Sequence, residues 1–263
     1  MPITSYFKIP SLSYRIFKVW LRNKDVFVST IKVNLLPPLL SPLLYLFALG
    51  LGLGTYIDNM EGVEYIKFIA PAMISVSMMY ASFFECTFGS YVRMYYQKTF
   101  DAIIATPLTI EEVITGELLW GATRSAIDAT LVVVIVSIMG LVEYPHSLLI
   151  IPFSFIAGFL FACLGMCFTA ITPNINSLTY PSILFITPMF LFSGTFFPLS
   201  LLPQLLQYLA YALLPLTHIV RIIRSLTLGS PDIFMLGNFV WIIVASMILF
   251  VLSVNLMKRK LIV

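Results

Sequence analysis

Charge is what this sequence has least of. Only 10% of its 263 residues are Asp, Glu, Lys or Arg against 60% hydrophobic, and none falls in residues 144–220, a run of 77. Soluble domains carry roughly 25% charged residues, so a soluble globular core is excluded. A bilayer core about 30 Å thick is crossed by roughly 20 helical residues, so the run must cross, turn and cross again. Cysteine is nearly as scarce. Cys86, Cys163 and Cys167 sit inside apolar runs and read as small buried hydrophobes, not as a disulfide framework. Two histidines, His146 and His218, leave a metal centre without ligands. There is no HExxH, no GxSxG and no intramembrane Asp pair, which argues against an enzyme. No phosphate-binding loop occurs either. Gly50-Leu51-Gly52-Leu53-Gly54 lacks a following Lys-Ser/Thr and lies in an apolar run, where small residues let helices pack closely. If ATP drives this protein, another polypeptide binds it. The net charge of +3 is scattered and leaves no footprint for nucleic acid.

What is present is a series of apolar runs. Lys32 and Asp58 bracket 25 uncharged residues, Lys67 and Glu85 bracket 17, and Asp232 and Lys258 bracket another 25. These give spans near 33–57, 68–90 and 233–257, the second with Glu85 facing protein or water near one end. The least hydrophobic span, near 113–141, carries Glu117, Arg124 and Asp128. The 77-residue run breaks at Thr172-Pro173-Asn174-Ile175-Asn176 into spans near 147–171 and 177–197. Residues 199–216 are apolar but punctuated by Pro198, Pro203 and Pro215. Basic residues decide their status. Lys8, Arg15, Lys18, Arg22, Lys24 and Lys32 lie at one end and Lys258-Arg259-Lys260 at the other, so both termini belong in the cytoplasm and the number of crossings is even. The expected fold is all-α, with six transmembrane helices and an outer re-entrant hairpin over 199–228 between spans five and six. Arg221 and Arg224 sit awkwardly on that outer side.

Ahead of the first span, within residues 1–31, Leu12, Ile16, Val19, Trp20 and Phe27 recur at helical spacing while Arg15, Lys18 and Arg22 share another face. The pattern predicts an interfacial amphipathic helix with its basic side toward anionic headgroups. It is not a cleaved signal peptide, because the charged leader is too long and no small-residue cleavage site follows. Between spans two and three, a short helix over 98–105, stopped by Pro107, presents Phe100 and Ile104 on one face with Asp101 nearby. Two readings stay open here: an exposed apolar face for a protein partner, or packing against the bundle itself. Glu117, Arg124 and Asp128 are spaced seven and four apart and share a helical face, with Arg124 paired to Asp128 one turn away. They form either a structural clasp or the lining of a wet path. The aromatics Phe83, Phe84, Tyr91, Tyr95 and Tyr96 make an interfacial belt or, in the alternative, platforms for sugar rings.

Taken in order, the amphipathic helix, two spans, the segment FDAIIATPLTIEEVITGELLWGATRSAI (100–127) and the stretch LFITPMFLFSGTFFPLSLLPQLLQYLAYALLPLTHIVRIIRSLTLG (184–229) resemble the ABC-2 type permeases. More narrowly they resemble the nodulation lipo-oligosaccharide exporter permeases and drug-exporter relatives. The resemblance implies one type V exporter-like membrane domain over 1–263 that dimerises and recruits two copies of a separate ATP-binding subunit, where ATP and Mg would reside. It implies a coupling helix at 98–108 that docks into that subunit through Lys98, Thr99, Phe100, Asp101, Ile104, Thr106 and Pro107. It also implies that spans one and five line the dimer interface and the path of an amphipathic substrate, in the inner membrane of a prokaryote. Two rivals remain: an ion- or proton-driven carrier using Glu117, Arg124 and Asp128, or a membrane assembly subunit that transports nothing. The first would show internal repeats, and halves 1–130 and 131–263 share none.

Overall fold

The computed structural model describes residues 10, 12–31, 36–57, 59–229 and 232–262. Lys8, Lys32 and Asp58, used above to set topology, lie outside them, as does the start of the first run. Helix α1 (Ile16–Ser29) precedes α2 (Leu36–Phe47), which continues through a π turn and a 3-10 turn to Thr55. A hairpin follows, β1 (Asn59–Met60) against β2 (Val63–Glu64), antiparallel with Asn59 opposite Glu64. Its turn residues Glu61 and Gly62 have φ of 53° and 83°, the left-handed pair that a two-residue hairpin requires.

Helix α3 (Tyr65–Phe84) is the centre of the molecule. Beyond Lys67 in its first turn its sequence is apolar or small on every side, and Phe68, Ile69, Met73, Ile74, Met78, Met79 and Phe83 are fully buried. Two π turns, Glu85–Gly89 and Val92–Tyr96, prolong it. Next come α4 (Thr99–Ile104) and α5 (Ile110–Ile138), the latter started by a capping box in which the Glu112 amide donates to Thr109 Oγ1 and the Thr109 amide to Glu112 Oε2. Helix α6 (Ile150–Ile171) packs against α3 and α5 through glycines. A Cβ on Gly158 would lie 2.3 Å from that of Ser125, and one on Gly121 2.5 Å from Cys86 Sγ. Such small residues let apolar helices approach where no hydrophobic force separates lipid from protein. Gly50 has the same role, its Cβ position 2.8 Å from Ile66, but Gly52 and Gly54 face open space, so close packing holds for one of the three.

Residues 176–192 form a segmented rod: a 3-10 turn, one helical turn, a π turn at Ser182–Ile186 and α7 (Thr187–Phe192). Pro181 and Pro188 lie within it, and proline removes a ladder hydrogen bond and distorts the turn before it. Helices α8 (Gln204–Leu213) and α9 (Pro215–Thr227) meet at 89°. Helix α10 (Phe234–Ile262) closes the chain. Among the described residues, four helical stretches are long and apolar enough to cross a membrane: Tyr65–Tyr96, Ile110–Ile138, His146–Ile171 and Phe234–Ile262. The α8–α9 pair, if each bent pair is one span, makes a fifth, and Leu40–Thr55 is a shorter apolar helix.

Contacts sort the loops into two ends. At one, Arg15 donates to the Pro107 carbonyl, Lys258 pairs with Glu111, and Lys260 caps the carbonyls of Thr169 and Thr172 at the end of α6. At the other, the Tyr65 hydroxyl donates to the Phe196 carbonyl and the Glu143 amide to that of Thr227.

Candidate functional site

A cavity of about 890 Å³ lies between α1, α2, α3 with its π extension, α5 and the segmented rod. Its wall is aromatic. Tyr80 and Phe84, one turn apart on α3, stack at 5.5 Å with 7° between planes, and Tyr45 of α2 meets Phe190 edge-on at 5.4 Å. Ile183, Ile186 and Thr187 of the rod face them across the space.

The floor of the cavity is ionic. Glu117, fully buried on α5, accepts from Asn23 Nδ2 at 2.7 Å, Ser90 Oγ at 2.9 Å and Arg93 Nε at 2.8 Å. Arg93 also pairs with Glu85 at 2.8 Å, and Trp120 Nε1 donates to the same Glu85 oxygen at 3.1 Å. One cation between two anions, with both carboxylate oxygens of Glu117 hydrogen-bonded, is the arrangement that makes a buried charge tolerable. Gly89 makes room for it, since a Cβ there would lie 3.2 Å from Glu85 and 3.4 Å from Arg93. The expected face of Glu117, Arg124 and Asp128 therefore divides. Arg124 does pair with Asp128, Nε to Oδ1 at 3.5 Å, and its guanidinium lies 4.4 Å over the Phe27 ring. Glu117 turns instead to Arg93, and Glu85 faces protein as its span requires. The sequence reading leaves out Arg93, Asn23 and Ser90. The signals were there: Glu85, Gly89 and Arg93 are successive at four-residue spacing, and Asn23 interrupts the apolar stripe Ile16, Val19, Phe27.

That stripe is the face α1 buries. Ile16, Val19, Asn23 and Phe27 are buried, with Val19 in a groove opened by Gly116, whose Cβ would stand 2.5 Å from that of Val19. Trp20 Nε1 donates to Thr123 Oγ1 at 2.8 Å. Leu12 is exposed, contrary to the expected stripe, and Tyr14, Phe17, Leu21 and Val28 form a second, outward apolar face. Lys18 is exposed on the basic side, but Arg15 and Arg22 are committed to the next segment: Arg15 to the Pro107 carbonyl, Arg22 Nη2 to Thr99 Oγ1 at 3.3 Å. So α1 has three faces, one toward the bundle, one apolar and exposed, and one toward 98–108.

In that segment the chain turns at Lys98, φ 52°, and enters α4. Phe100 is fully buried against the bundle with Ile103 and Ile104 packed around it, which corrects the reading of an exposed apolar face. What the segment shows outward is Lys98 and Asp101, 3.8 Å apart, with Ala102, Ala105, Thr106 and Pro107. The aromatic belt also divides. Phe83 is core, Phe84 lines the cavity, and Tyr91 and Tyr95 take the Lys260 ammonium at 5.4 and 5.3 Å from their rings.

Residues 10–228 match the model of the family described as ABC-2 type transporter. The chain belongs to that family. It is 34% identical over 253 residues to Nodulation protein J of Rhizobium meliloti (strain 1021), covering 96% of each chain. It is also 34% identical to Nodulation protein J of Rhizobium leguminosarum bv. viciae, covering 92% of this chain and 93% of that one. A more distant similarity, 23% over 245 residues, links it to the Inner membrane transport permease YadH of Escherichia coli (strain K12). This ABC-2 chain is thus a multi-pass membrane permease, a transport subunit.

Proposed function

We propose that this permease exports an amphipathic molecule, a lipo-oligosaccharide, lipid-linked glycan or hydrophobic drug, as a homodimer docked on two copies of a separate ATP-binding subunit that carries ATP and Mg. The observation that carries the reading is a cavity whose aromatic wall suits an acyl chain or sugar ring and whose floor offers carboxylate and guanidinium groups to a polar head. The membrane is the inner membrane of a prokaryote, with six crossings, both termini cytoplasmic and the α8–α9 hairpin re-entrant from outside. The grouping of α1, α4 and the Lys258–Lys260 tail at one end supports that orientation.

Closure of the ATP-binding dimer would press on the 98–108 coupling segment, and its ties to α1 would carry the motion to the cavity. Exposed Asp101, with Lys98, Thr106 and Pro107, is then the docking surface, while buried Phe100 and Ile104 hold α4 in place. ATPase activity of membranes co-expressing this chain with its ATP-binding subunit, with a pull-down through a tag on this chain, tests the reading. Co-purification and hydrolysis that Asp101→Ala uncouples from transport are expected. A chain that binds no ATPase overturns it.

The ion-carrier alternative loses support from Glu117, whose two carboxylate oxygens are taken up by hydrogen bonds from Asn23, Ser90 and Arg93.

A further inference from the structure

At the opposite end of the bundle a second cavity, of about 370 Å³, is enclosed by α8, α9, the β1–β2 turn and the 193–200 stretch. Its chemistry is lopsided toward donors. Arg224 lies 3.8 Å over the Phe68 ring and gives Nη2 to the carbonyls of Gly194 at 2.9 Å and Phe68 at 3.3 Å. Its buried Nε has no acceptor among the described residues, and neither does the hydroxyl of Ser193, a residue only 1% exposed. Two of the six buried side-chain polar atoms without a partner among the described residues thus line this one cavity. Buried donors are satisfied in the great majority of native sites, so two in one place point to an acceptor from outside the chain. Arg221, one turn before Arg224, adds an exposed guanidinium braced 5.2 Å over the Tyr211 ring. Against these two cations the lining holds a single carboxylate, Glu61, exposed on the hairpin turn.

We propose that this cavity binds a phosphate-class oxyanion, gripped by Arg224 and Arg221 with the Ser193 hydroxyl as a third donor. Guanidinium forks match the spacing of phosphate oxygens, and charge-assisted bonds of this type are the strong ones. Glu61 opposes the ligand and sets its affinity. The oxyanion can belong to a phospholipid headgroup or to a free phosphate, and the test separates them.

The full-length protein, purified in uncharged maltoside detergent, is titrated with inorganic phosphate while its thermal unfolding is followed. In parallel, native mass spectrometry scores retention of phosphatidylglycerol against diacylglycerol, which lacks the phosphate. Saturable stabilisation by inorganic phosphate identifies a free oxyanion. Selective retention of phosphatidylglycerol without a phosphate response identifies a headgroup. In either case Arg221→Gln, at an exposed position that leaves the fold intact, weakens binding about tenfold. Glu61→Gln tightens it roughly threefold. Arg224→Lys abolishes it, although that residue also anchors two carbonyls, so Arg221→Gln is the deciding variant. Absence of both ligands, or binding indifferent to Arg221→Gln and Glu61→Gln, overturns the proposal.

Discussion

Of the acids on helix α5, Glu117 and Asp128, eleven residues apart, are the two that are fully buried, and their surroundings differ. Glu117 accepts hydrogen bonds from Asn23 of α1 and from Ser90 and Arg93 of the extension of α3, so these two elements and α5 meet on one carboxylate. Asp128, equally buried, has Arg124 3.5 Å away and no hydrogen bond to either oxygen among the described residues. The first arrangement is a lock: its members fix each other, and each is costly to remove. The second is a loose pair in which the carboxylate's desolvation is poorly offset. On the clasp-or-path choice posed by the sequence, the hydrogen bonds at Glu117 support a clasp there, while Asp128 lacks such bonds among the described residues.

The contrast is broken most severely at its hub. Arg93→Met should leave buried Glu117 and half-buried Glu85 without their ion-pair partner and cost about 3–5 kcal/mol, read as a large fall in the melting temperature of the purified protein. Adding Glu117→Gln should recover part of that loss, and no recovery would mean that Arg93 acts through something other than this pair. Glu117→Gln alone should cost about 2 kcal/mol, because a neutral amide weakens the bonds from Arg93, Asn23 and Ser90. The same change at Asp128, to Asn, should cost less than about 1 kcal/mol, and equal falls at the two sites would erase the distinction. Gly116→Val should overpack the seat of Val19 at about 1–3 kcal/mol, detected as protease cleavage within α1 before the bundle melts. Smallest of all, Asp101→Ala should leave stability within about 0.5 kcal/mol, since the residue is exposed.

Much of this was legible beforehand, for particular reasons. Uncharged runs locate helices because an unpaired charge at depth is costly, and the stretches 65–96, 110–138, 146–171 and 234–262 fall where the runs lie. The break at Thr172–Asn176 and the prolines at 198, 203 and 215 appear as the ends of elements, since proline acts locally. The burial of Phe100 was not legible. A helix of six residues shows an apolar face in either reading, and whether solvent or the bundle meets it depends on residues far away in sequence, such as Ile114 and Met257. Arg93 was hidden for a related reason. Its partners Glu85 and Glu117 become visible only by following helical register across two elements.

The ionic lock also bears on how the chain is made. Its members leave the ribosome in the order Asn23, Glu85, Arg93, Glu117, so the pair on the second apolar stretch is already balanced when α5 arrives with three ionisable groups of its own. Partitioning of α5 into lipid by itself would expose Glu117, Arg124 and Asp128 to hydrocarbon at several kcal/mol. Arg93 would offer Glu117 a berth at the moment of insertion, which would favour entry of α5 into the bilayer once the α3 stretch is retained beside it.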